Sequence, residues 1–192
     1  MPFLLARLLH LFRLAIAIGF PVPGTSLRVA GDSLTDLQVI AADWADLPRV
    51  QAWLAERRYG GVYILVGRSN GRTRARVGEG VKLWTRLGDH KADPQLDFVE
   101  EVYVLVSPIF HKGATVYLQE QISQIVQAEP RLDFHKGCGP LAGFPLGEAD
   151  RKSLDLAVLL GLNLLHAAGL RVLQPGQSRL AQQVAALLAE AA

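Results

Sequence analysis

Apolar residues recur along this chain with two periods, and the switches between them divide it into strands and helices. Leu27–Ala30 and Leu37–Ala42 read as short strands, with Gly31-Asp32-Ser33 supplying turn chemistry between them. Pro48 opens a helix, because proline is tolerated in a first turn and Val50, Trp53 and Leu54 follow at helical spacing. Tyr59-Gly60-Gly61 ends that helix, and Gly61–Gly67 is a β-rich run that leads into Asn70-Gly71, a strong hairpin signal. A return strand is predicted over Thr73–Gly78, a short helix over Val81–His90 and a third strand over Phe98–Val106. Val116, Leu118, Ile122, Ile125 and Val126 then mark a helix over Ala114–Gln127, which Pro130 stops.

The two ends read differently. Met1–Phe20 is apolar but carries Arg7, His10 and Arg13 at steps of three, which suits an amphipathic helix lying on the domain. A membrane-surface contact and a non-native extension from an upstream start codon are the other readings. A charge at Arg13 argues against a membrane span, and no small-residue cleavage site follows. Pro21-Val22-Pro23-Gly24 is a turn-rich linker. Beyond a Gly/Pro-rich loop over Gly137–Gly147, two apolar helices are predicted at about Ala149–Ala168 and Gln177–Ala191. The first is too apolar for solvent, so it buries against the core or, in a homo-oligomer, against a partner subunit. The expected organisation is an amphipathic helix over 1–20, a linker over 21–26, a β-rich preamble and helix over 27–60, a core over 61–130 and a loop and helical region over 131–192.

A chain of 192 residues with 50% apolar and 20% charged residues supports one domain with a real core. Cys138 is its only cysteine, which excludes an internal disulfide scaffold and fits a reducing cytoplasm. A net charge of +2 says little, but its distribution is uneven. Arg68, Arg72, Arg74, Arg76, Lys82, Arg86 and Lys91 crowd one stretch in which Glu79 and Asp89 are the only acids. Such a stretch attracts phosphate backbones through counterion release, or else it is a solvated hairpin. His135, Cys138, His111 and His166 show no paired zinc-ligand spacing. Trp53 and Trp84 read as packing residues.

Arg86 and His90 lie four apart and so project from one helical face, where a guanidinium fork and an imidazole can converge on one phosphate. Each also has a structural reading: Arg86 pairing with Glu79 or Asp89, and His90 favoured at a helix C-terminus by the macrodipole. Tyr63 by itself reads as a half-buried strand tyrosine whose hydroxyl reaches solvent.

The order of these residues resembles the GIY-YIG nuclease superfamily. Gly61-Val62-Tyr63 stands at the first signature tripeptide and Arg76-Val77-Gly78 at the second, and Arg86 and His90 follow at the family's helix spacing. The likeness to a bacterial subgroup with a β-rich preamble extends from about Leu27 to Gly169, roughly three-quarters of the chain. It implies an α/β fold with a small central three-stranded antiparallel sheet flanked by helices, and metal-dependent hydrolysis of DNA with Mg²⁺ or Mn²⁺. In that reaction Tyr63 orients or deprotonates water, while Arg86 and His90, aided by Arg76 and Lys82, hold the phosphate. Two positions depart from the pattern. Arg76 replaces the second tyrosine, and Gln119 stands where the family places its metal-binding glutamate, with Glu120 one residue late and about 100° around the helix. A site without that carboxylate still binds DNA, which gives the alternative of a non-catalytic nucleic-acid-binding domain.

Overall fold

The computed structural model describes residues 16–32, 35–135 and 145–173. Its centre is one seven-stranded sheet in the order β1-β2-β3-β6-β4-β5-β7. The strands are β1 (Ile16–Gly19), β2 (Arg28–Asp32), β3 (Gln38–Asp43), β4 (Gly60–Ser69), β5 (Arg72–Gly80), β6 (Val99–Ser107) and β7 (Leu132–Phe134). Among the described residues the α-helices are α1 (Leu47–Arg57), α2 (Leu83–Lys91), α3 (Lys112–Ala128) and α4 (Glu148–Ala167). All neighbouring strands are antiparallel except β7, which runs parallel to β5.

Alternation along the central strands sends successive side chains to opposite faces and builds two cores. Val62, Ile64 and Val66 join Val39, Tyr103 and Leu105 under α3 and α4. Tyr63 and Leu65 join Ile40, Val102, Val104 and Phe98 under α1 and α2. The β4–β5 hairpin closes through Asn70 and Gly71, whose φ angles of 51° and 75° are the positive pair that a two-residue turn matched to strand twist requires. Proline within the first two positions of α1 leaves no needed donor unmade, and Arg58 ends the helix in a left-handed conformation, its N–H donating to the Leu54 carbonyl at 2.8 Å.

The mixed α/β class, the β-rich N-terminal part and the C-terminal helix agree with expectation. The three antiparallel strands are there as β6-β4-β5, but inside a wider sheet: β3 pairs with β6 from Gln38↔Val106 to Asp43↔Glu101, so the preamble extends the central sheet. The helix expected to run to Phe20 is corrected at its end. Ile16–Gly19 is a strand, registered from Ile16↔Asp32 to Gly19↔Val29, because β-branched Ile16 and Ile18 suit a pleated edge and β2 offers it one. Strand β7 had no counterpart in the sequence reading. Leu154, Val158, Leu162 and Leu165 of α4 are buried in the same chain, as its apolarity requires, and Leu156 is left 47% exposed. No helix among the described residues is long and apolar enough to cross a membrane. The predicted helix at Gln177–Ala191, Cys138 and the first fifteen positions lie outside the described residues.

Candidate functional site

Strand β4 delivers Tyr63 to the face covered by α1 and α2, and α2 delivers Leu83, Leu87 and His90 onto the same face. The phenol and the imidazole meet there: Tyr63 Oη lies 2.5 Å from His90 Nε2, with ring centroids 5.2 Å apart and planes at 61°. Strand β5 runs beside β4 with Tyr63 opposite Gly78 and Leu65 opposite Arg76, so Arg76 leaves the sheet on the phenol's side. Gly78 is required by this arrangement. The Tyr63 ring crosses it so closely that a Cβ there would fall on the phenol. Gly61 and Val62 precede Tyr63 on the same strand, Val62 facing the opposite core.

Depth separates the members. Tyr63 is 1% exposed, His90 4% and Arg76 9%, whereas Arg86 and Lys82 are exposed. Tyr63 is therefore no half-buried strand tyrosine reaching solvent. Arg86 makes no ion pair with Glu79, whose carboxylate is taken by Lys112 and, at 2.6 Å, by the Thr115 hydroxyl on the other side of the sheet. Instead Arg86 approaches the phenolic oxygen. His90 does sit in the last turn of α2, so the macrodipole placement and the shared cluster hold together.

The protonation states follow from burial. Burial pushes the His90 imidazole down to about 4, and the Arg76 and Arg86 charges push the same way against Asp93 and Asp89. Burial also raises the Tyr63 phenol, opposed by Arg86 and Arg76. Both groups are thus uncharged at neutral pH. The phenol and Nε2 share one hydrogen bond, and the Arg86 guanidinium acts on the same phenolic oxygen.

This state has a consequence for stability. An unfolded histidine takes its proton near pH 6.5, whereas His90 in the fold resists it until about 4. Stability from this group is complete above 6.5 and is lost on acidification toward 4, by up to about 1.4 kcal/mol per pH unit. Urea unfolding at pH 7 and pH 5 should show the loss, and His90→Gln should reduce it. An equal loss in both proteins would assign it to other groups.

Two residues that sequence reasoning missed border the cluster. Arg74 contacts His135 Nδ1 at 2.9 Å and covers Phe98 with its guanidinium 5.1 Å from the ring centre. His135 is lowered by burial and by Arg74 and Arg76, which places it against the same cations. The available signal was the alternation Arg72-x-Arg74-x-Arg76. His135 had none, since its position depends on β7 pairing with β5.

The metal donors that the resemblance implies do not fit. Gln119 is half-buried on α3, which packs on the face away from the phenol, and Glu120 on the same helix is exposed, its charge acting on Tyr117. Among the described residues no group of three or more His, Cys, Asp or Glu is placed to hold a metal ion. The larger charge effects on Tyr63 and His90 come from Arg86 and Arg76, with Glu79 opposing them at the phenol and Asp93 and Asp89 opposing them at the imidazole. Comparisons of the chain with family models, with curated proteins and with solved structures found no match.

Proposed function

We propose that this face binds the phosphodiester backbone of nucleic acid, DNA first, as a non-catalytic domain of the GIY-YIG lineage. The observation that carries the reading is Arg76: a charged side chain nine-tenths buried, its Nε without a hydrogen-bond acceptor, beside the exposed Arg86. A buried cation left short of acceptors is costly in the free protein, and an arriving phosphate oxygen would supply what is missing. Lys82 and Arg86 at the surface would steer that phosphate inward, above the neutral Tyr63–His90 pair on which Arg86 acts.

A second reading, hydrolysis of the bound diester with Mg²⁺ or Mn²⁺, draws on the short Tyr63–His90 hydrogen bond, a route by which a phenol could pass a proton to an imidazole. It needs a metal-ligand set, and among the described residues no group of three or more His, Cys, Asp or Glu is placed to hold a metal ion. The two readings separate in one experiment. Purified protein and labelled DNA are mixed in EDTA for anisotropy, and the same preparation is incubated with supercoiled plasmid and Mg²⁺ or Mn²⁺. Binding in EDTA that weakens steeply with salt, with no nicking, is the expected result. Nicking that disappears in Arg86→Ala would favour the enzyme, and no binding under any condition would remove both.

A further inference from the structure

Arg72, Arg74 and Arg76 alternate along β5, so all three leave the sheet on the face that carries Tyr63 and His90. The strand fixes their spacing at roughly 6.5–7 Å per pair of residues. Depth grades along the row. Arg72 is exposed beside the hairpin turn, the Arg74 side chain is 31% exposed and Arg76 is nine-tenths buried against the phenol. Arg76 has a buried Nε without a hydrogen-bond acceptor, and the buried Arg74 Nε makes no hydrogen bond, its nearest carboxylate being that of Asp133 at 3.6 Å.

The contacts these arginines already make are ones a phosphate can displace or use. Arg74 faces Asp133 at 3.6 Å, an ion pair whose acid is 52% exposed, and exposed pairs of this kind hold weakly. Arg72 donates to the Pro130 carbonyl at 3.4 Å, a long contact. Phe98 and His135 pack against the Arg74 guanidinium and hold its plane in place.

We propose that β5 is a phosphate track and that its ligand is a single strand of nucleic acid, with successive phosphates at Arg72, Arg74 and Arg76 and the innermost one shared with Arg86. This deepens the phosphodiester-binding reading and rests on it. The spacing selects the class of anion. The sugar-containing linkage between successive phosphates spans the distance between alternate strand residues, whereas the single bridging oxygen of a diphosphate does not. The gradient selects the single strand. A duplex is stiff over about 150 base pairs and presents a convex surface, so it cannot follow a row that descends from the hairpin into the fold. A single strand turns at each linkage.

Anisotropy in EDTA with labelled single-stranded oligonucleotides of increasing length, the matching duplex, and a nucleoside triphosphate as competitor tests this. Affinity should climb with each phosphate until about three are present, the single strand should bind about tenfold or more tighter than the duplex, and the triphosphate should compete poorly. Arg72→Gln and Arg74→Gln should each shrink the log–log salt slope by about 0.7, while Arg74→Lys retains it. Arg72 is exposed, so its variant carries no folding risk, and circular dichroism checks the Arg74 variants. If Arg86→Ala abolishes binding while Arg72→Gln and Arg74→Gln keep wild-type affinity and slope, the track is wrong and the phosphate site stands. Equal affinity for duplex also overturns the track. A wild-type protein that binds no oligonucleotide overturns both.

Discussion

Replacing Arg76 with methionine should make the protein more stable and its nucleic-acid binding weaker, two effects of opposite sign from one substitution. Arg76 is nine-tenths buried and its Nε finds no acceptor, so the free fold bears a desolvation cost that an apolar side chain of similar length removes. Exchanging buried charge for well-packed apolar groups is often neutral or stabilising by about 1–4 kcal/mol, and a gain near the lower end is expected for one residue. Binding moves the other way. A hydrogen bond to a charged group contributes about 1.5–3 kcal/mol, which is a loss of about tenfold to a hundredfold in Kd. Urea unfolding and oligonucleotide anisotropy on the same preparation read both effects. Arg76→Met that is destabilised by several kcal/mol and binds normally would make Arg76 a structural residue.

Gly78→Ala is the second large effect, this time on the fold. Alanine ordinarily suits a strand interior better than glycine, since glycine loses more backbone entropy on folding. Here the added Cβ would fall on the ring of Tyr63, directly across the strand pair at Tyr63↔Gly78. The phenol cannot retreat easily, because its hydroxyl is fixed to His90 and its ring is buried. Overpacking of this kind costs about 1–3 kcal/mol. In a Tyr63→Ala background the obstruction is gone, and Gly78→Ala should there be neutral or slightly stabilising. Thermal or urea unfolding of the four proteins gives the coupling directly. An equal cost in both backgrounds would mean that the glycine serves some other contact.

How much of this was legible in the sequence depended on the range of the information. Alternation in Val62–Val66 and Glu101–Val106, the Asn70-Gly71 turn and the helical spacing of Leu118, Ile122 and Val126 are local, and each marked an element within a few residues of its bounds. Pairing partners are not local. Whether Gln38–Asp43 lies beside β6 or forms a sheet of its own is decided by which apolar faces close together, so the preamble's merger with the core could not be read off. Strands β1 and β7 are only 4 and 3 residues long, too short for a period, and they exist because an edge was free to receive them.

The candidate site divides the same way. Spacing puts Arg86 and His90 on one helical face, and the family order puts Tyr63 of β4 with them. The depth of Tyr63 was hidden, because a tyrosine suits a buried or a half-wet strand position equally well. Capture of Glu79 by Lys112 and Thr115 was hidden too, being a contact between residues 33 and 36 positions apart. Gln119 and Glu120 were weighed by their angle around the helix, but what removes both is the face of the sheet on which α3 packs.

The central claim is that Arg76, with Arg86, receives phosphate from above a neutral Tyr63–His90 pair. Arginine Nε–Hε resonances of labelled protein, assigned with Arg76→Lys and Arg86→Lys, can be followed while a short single-stranded oligonucleotide is added in EDTA. A saturable shift of the Arg76 and Arg86 signals with a common Kd is the predicted result. Saturating oligonucleotide that leaves the Arg76 signal where it stood would contradict the account.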